Sequence, residues 1–128
     1  MQQTTETFTV LNVNRFPMVI LNQQAVRDGY ADQWAQEMKQ LMEQGEPFVM
    51  VYDHMRVDES DADRERRSRW LIQHRKTLSQ ICRGMISIES DAQRCEQLVK
   101  MRKLFGIQHQ VVSSEPYALA LIQQWLAK

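Results

Sequence analysis

Apolar and polar positions recur with different periods along this chain, and each change of period marks a new element. The stretch Pro47-Phe48-Val49-Met50-Val51-Tyr52-Asp53 is a continuous apolar run that follows Gly45 and ends on a carboxylate. Such a run predicts a central parallel strand, buried on both faces, whose carboxyl end opens at Asp53 and His54. Upstream, residues 8–13 predict a strand with Phe8, Val10 and Asn12 on one face. Asn14-Arg15 can turn the chain into a second strand over 16–21, forming an antiparallel hairpin. Pro17 lacks an amide donor, which suits the first residues of a strand or an edge.

From Asp28, which is expected to cap the next helix, Tyr30, Trp34, Met38, Leu41 and Met42 return at helical spacing. Gly45 ends that helix and Pro47 keeps it from resuming. Beyond Asp53 the acidic group Asp58, Glu59, Ser60, Asp61 and Asp63 favours a helix start, because carboxylates complement its positive end. That helix is expected to reach about Gln80, with Trp70, His74, Leu78 and Ile81 inward. It is also the most basic segment, carrying Arg64, Arg66, Arg67, Arg69, Arg75 and Lys76, and Asp63–Arg67 and Glu65–Arg69 stand in the supportive four-residue order.

Residues 82–88 predict the next strand, where Gly84 implies a close backbone approach. Ser90-Asp91 cap a helix with Leu98, Met101 and Phe105 inward and Gly106 as its stop. Residues 107–113 make a last strand, and Ser114 caps a closing helix with Pro116 in its first turn. Ala118, Leu121, Ile122, Trp125 and Leu126 form its apolar face. The order β-β-α-β-α-β-α-β-α predicts an α/β fold: a single, mostly parallel sheet of about five strands with an antiparallel edge hairpin and about four helices. No repeat or linker divides the chain, so a single domain is expected over 1–128, with 1–7 a polar N-terminal tail.

Charge narrows the partners. Lys plus Arg and Asp plus Glu number 16 each. A neutral chain has no overall field to draw nucleic acid or anionic lipid, so neither is expected as a partner. Cys82 and Cys95 lack metal-ligand spacing and the dense pairing of small secreted scaffolds, and both are read as reduced and buried. Residues 1–7 are polar and do not resemble a leader, and no apolar run approaches the ~20 residues a membrane span needs. The cytoplasm is the expected location.

Three stretches suggest a family: Phe16-Pro17-Met18-Val19-Ile20-Leu21, Gly45-Glu46-Pro47-Phe48-Val49-Met50-Val51-Tyr52-Asp53, and Arg64-Glu65-Arg66-Arg67-Ser68-Arg69-Trp70-Leu71 leading to Cys82-Arg83-Gly84. With the element order, they resemble STAS/SpoIIAA-like domains, and more closely the small bacterial STAS/SEC14-type proteins, over residues 7–126. The resemblance implies a fold more than an activity. In the anti-sigma antagonists of that family, an Asp at the strand end and a phosphorylatable Ser at the next helix start dock a partner kinase. Asp53 matches the carboxylate, whereas the serine cluster is replaced by Asp58-Glu59-Ser60-Asp61, leaving Ser60 a positional candidate whose acidic neighbours would repel a phosphate.

Asp53 and His54 lie where open parallel sheets bind ligands, yet neighbours on an extended strand point to opposite faces, so they do not form a ready-made dyad. The acidic cluster lacks the spacing and glycine of a calcium loop, and helix capping accounts for it. His74 and His109 read as core or boundary residues. No Gly-x-Ser-x-Gly elbow or phosphate-cradling glycine loop is present, and Ser60, Ser113 and Ser114 have no evident base. The expectation is a non-enzymatic STAS-like regulatory or protein-interaction domain without a cofactor or metal, its contacts made by Asp53, His54, Arg56, Ser60, Arg64 and Arg67. A protein partner is expected, and a homodimer through an edge strand is open. The alternative is a module binding a small anion or lipid-like molecule at the carboxyl ends of the strands, for which a deep apolar pocket beside His54 would be the sign. An enzyme using His54 ranks last.

Overall fold

The structure, a computed structural model, describes residues 8–101 and 107–127. Five strands, β1 (Leu11–Asn12), β2 (Met18–Leu21), β3 (Phe48–Asp53), β4 (Cys82–Ile88) and β5 (His109–Val112), form one sheet in chain order. β1 runs antiparallel to β2, and every other neighbouring pair is parallel. Five helices accompany them: α1 (Tyr30–Gln44), α2 (Asp61–Gln73), α3 (Arg75–Ile81), α4 (Ala92–Met101) and α5 (Glu115–Leu126). A short 3-10 turn, Gln23–Ala25, follows β2. No described helix is long and apolar enough to cross a membrane.

β3 occupies the middle of the sheet, as its continuous apolar run predicts, and Phe48 to Val51 are at most 1% exposed. Alternation along the strands sorts the core into two layers. Val19, Leu21, Phe48, Met50 and Met85 join Trp34, Met38, Leu41, Trp70 and Leu78 under α1, α2 and α3. Met18, Val49, Val51, Ile86 and Ile88 face Ala118, Ile122 and Trp125 of α5. Gly84 permits that second layer, because a Cβ there would lie 2.5 Å from the Trp125 ring. Gly45 ends α1 in the left-handed region at φ 73, its N–H donating to Met42.

Four local expectations are corrected. The hairpin's first strand is only Leu11–Asn12, with Val10, Leu11 and Val13 buried and Asn12 exposed. The reason is Glu37, a fully buried carboxylate on α1 that accepts the N–H groups of Thr9, Val10 and Leu11 at 2.9, 3.1 and 2.7 Å. These amides spend their hydrogen bonds on a side chain, so only a short ladder forms.

Asp28 does not cap α1. Gly29 is the N-cap residue, and Asp63, buried in the first turn of α2, accepts the N–H groups of Gly29 and Ala31 at 2.9 and 3.2 Å. Asp63 is therefore unavailable to Arg67, and the expected Asp63–Arg67 pair gives way to Arg67–Glu59, whereas Glu65–Arg69 forms at 3.0 Å. The long basic helix is two helices joined at His74 (φ −105, ψ 14), which makes five α-helices among the described residues. His74 stacks on Trp70 at 4.2 Å between ring centroids and bonds its carbonyl through Nδ1, a boundary role. The expected tail 1–7, the side chain of Met101, and Phe105 and Gly106 lie outside what is described.

Candidate functional site

On the face covered by α1 to α4, the helices α2 and α4 leave a cleft of about 330 Å³ over the carboxyl halves of β3 and β4 and the first residue of β5. Parallel pairing explains its floor. Tyr52 stands beside Ser87, and Met85 beside His109, so these side chains share one face. Leu71 of α2, Leu98 of α4 and Met55 of the segment after β3 supply apolar walls.

A polar group occupies the α2 side of this cleft. Arg67 donates through Nη1 to Glu59 Oε2 at 2.8 Å, and the Tyr30 hydroxyl donates to Glu59 Oε1 at 2.8 Å. Arg67 and Glu59 are only 17% and 14% exposed, so the pair is weakly screened. The guanidinium also lies 5.2 Å from the centroid of Trp34, and its buried Nε finds no acceptor among the described residues. Burial raises the pKa of Tyr30 and of Tyr52, with Arg67 opposing and Glu59 reinforcing in both cases; the two phenols therefore stay neutral. Burial disfavours the charge on Arg67, but Tyr52, Tyr30 and Glu59 outweigh it and raise its pKa. On the β4–β5 side, Ser87 Oγ and His109 Nε2 are 2.8 Å apart.

The six residues singled out from sequence are divided by the fold. Asp53 and His54 are not splayed apart: His54 adopts φ 49, so the chain leaves the extended conformation there and Nδ1 comes 2.6 Å from Asp53 Oδ1. Both side chains are nearly half exposed. Arg56 clasps the buried Glu89 with both terminal nitrogens, at 2.8 and 2.9 Å. Ser60 is the N-cap of α2, accepting the Asp63 N–H and donating to its carboxylate. Arg64 and Arg67 line the cleft, Arg64 pairing with Asp61 at 2.9 Å.

Tyr30, Tyr52 and Ser87 are cleft residues that were not expected at a site, Glu59 was expected only to favour the start of a helix, and His109 only as a core or boundary residue. A signal was present: in runs as apolar as 48–52 and 85–88, Tyr52 and Ser87 fall on the same inward register as Met50 and Met85. Polar residues at inward positions need partners, and that need points to a site. A wider groove of about 550 Å³ borders Asp53 along β1, but it is more open and more polar. Among the described residues no group of three or more His, Cys, Asp or Glu is placed to hold a metal ion. No protein-family model, curated protein or solved structure matches the chain.

Proposed function

We propose that this chain is a small-ligand-binding domain that holds an amphiphilic molecule in the cleft between α2 and α4, without a chemical step. The observation that carries this reading is the 330 Å³ cavity itself, with apolar walls and the polar groups Tyr30, Tyr52, Arg67, Ser87 and His109 converging from α1, β3, α2, β4 and β5. It adjoins Met55, the residue after His54, at the carboxyl ends of the strands. A thermal-shift screen against small amphiphiles tests it. A ligand at about a hundred times its Kd stabilises the folded state by about 2.7 kcal/mol, which is a shift of several degrees. Leu98→Trp, which fills the cavity, is expected to abolish the shift. Hits that stabilise this variant equally would place binding elsewhere.

A second reading, a STAS-like regulatory or interaction domain acting through the surface beyond β3, draws support from the element order and from the half-exposed Asp53–His54 pair. The basic helix contributes little to it. Arg64, Arg66, Arg67 and Arg69 are each paired with an acid, which leaves a neutralised face. Pull-down of one protein by the wild type, lost in Asp53→Ala and kept in Leu98→Trp, would favour this reading over the first.

A further inference from the structure

We infer that the ligand of this cleft carries a carboxylate, which takes the seat that Glu59 holds between Arg67 and Tyr30. This rests on the cleft being a ligand site, and it names the chemistry that the site selects. The seat has the parts of a carboxylate receptor: Arg67 addresses one oxygen of the bound carboxylate and Tyr30 the other, each at 2.8 Å. Both donors come from helices, Tyr30 from the first position of α1 and Arg67 from the second turn of α2, so neither has to be ordered by a ligand. Trp34, packed against the guanidinium, holds it in place.

The occupant is attached differently. Glu59 lies in the irregular segment between β3 and α2. That segment is anchored on its amino side by Gln23, whose side chain donates to the carbonyls of Asp53 and His54 and accepts the Arg56 N–H. On its carboxyl side it is anchored by Ser60 in its cap with Asp63. Val57, Asp58 and Glu59 span the interval, and Val57 and Asp58 are exposed. Glu59 can leave the seat without uncapping α2. A ligand carboxylate entering behind it keeps Arg67 neutralised, so no charge is left buried alone.

The charge on offer selects a monoanion. At the seat itself one guanidinium, that of Arg67, and the neutral Tyr30 phenol match one negative charge. Arg64, which also lines the cleft, is already paired with Asp61, while Arg94 reaches the Met55 carbonyl; a dianionic phosphate in the seat would leave a charge uncompensated. Val26, Met55, Leu71, Met85, Leu98 and Ile107 offer apolar surface for the rest of the molecule. Glu59 is then a built-in competitor, setting a threshold that a ligand must exceed.

Isothermal titration with octanoate and 1-octanol tests this, since the two share an apolar body and differ in the head. Wild type is expected to prefer octanoate, and Glu59→Gln to tighten octanoate about tenfold while leaving 1-octanol within about twofold. Tyr30→Phe, which keeps the ring and the packing, should weaken octanoate several-fold and spare 1-octanol. Arg67→Met should erase the preference. Equal binding of the two probes to wild type, unchanged by Glu59→Gln but lost in Leu98→Trp, would overturn the carboxylate assignment and leave the cleft as the ligand site. Binding of neither probe to any variant would overturn both.

Discussion

Beneath α5, the sheet meets Ala118, Ile122 and Trp125 with Met18, Val49, Val51, Ile86 and Ile88, an apolar layer packed closely enough to require Gly84. Beneath α1 to α4, the same strands turn Tyr52, Ser87 and His109 toward Arg67, Glu59 and a cavity. The buried acids Glu37 and Asp63 also belong to this helix-covered side. The difference separates two uses of buried polarity. Glu37 and Asp63 satisfy backbone amides that would otherwise be orphaned, so they serve the fold. Glu59, Arg67, Ser87 and His109 pair with side chains around an open volume, and the fold could dispense with them if the volume were filled.

Removing a polar group of the first kind should have the largest effect. Glu37→Ala strands the amides of Thr9, Val10 and Leu11 and frees Gln33 Nε2, all within hydrogen-bonding distance of the carboxylate in the native state. A cost of about 3–5 kcal/mol is expected in urea denaturation, since each buried unsatisfied donor costs about 1–3 kcal/mol. A loss under about 1 kcal/mol would show that the chain before β1 finds other partners. On the opposite face, Gly84→Ala puts a Cβ against the Trp125 ring and should cost about 1–3 kcal/mol by overpacking. It should leave octanoate binding unchanged, because Trp125 belongs to the other layer. A change in affinity on this variant would mean that the layers are coupled through β4.

Polar groups of the second kind give a sharper test. Arg67→Met or Glu59→Leu alone leaves a largely buried charge without its partner, and each should destabilise by about 1–3 kcal/mol. The double variant replaces the pair with apolar groups and should recover most of that loss, ending within about 1 kcal/mol of wild type. It should also lose the preference for octanoate. A double variant as unstable as the sum of the singles would make Arg67–Glu59 a fold-holding pair like the acids on α1 and α2, and the distinction would fail.

The layer beneath α5 was also the legible one. The run at 47–53 is the middle strand, residues 82–88 are β4 without displacement, and Gly84 is the close approach its position suggested. These features follow from continuous apolar runs and from side-chain volume, which are local properties of sequence. The helix-covered face depends on partners distant in the chain. Glu37 meets residues 26 to 28 positions away, and Ser87 meets His109 at a separation of 22. No spacing rule reaches that far. The pairing of Asp53 with His54 was missed for a different reason: one residue at φ 49 reverses the alternation on which the reading relied. Likewise, four-residue spacing correctly paired Glu65 with Arg69 but not Asp63 with Arg67, because Asp63 had a stronger claim from two orphaned amides of α1.

Glu89 stands at the boundary of the two regions, lining both the cleft and a groove beside α5, and its titration gives the smallest of these effects. Arg56 clasps its carboxylate and the Asp91 N–H adds to that hold, so its pKa falls to about 2 although burial opposes the shift. A folded-state pKa below the unfolded value of roughly 4.3 means that Glu89 contributes stability above that value and loses it as pH falls toward about 2. Asp63 has the same sign: burial would raise its pKa, but hydrogen bonds from Gly29, Ser60 and Ala31, together with the Arg67 charge, lower it. Wild type should therefore lose stability between pH 6 and pH 3. Glu89→Gln should begin about 1–2 kcal/mol less stable at pH 6, a modest deficit because Arg56 is partly exposed, and should lose less over the same interval. Urea denaturation at both pH values measures the two slopes. Parallel slopes would mean that Glu89 does not titrate with the fold, and the acid sensitivity would then belong to carboxylates that hold backbone amides on the helix-covered side, as Asp63 does.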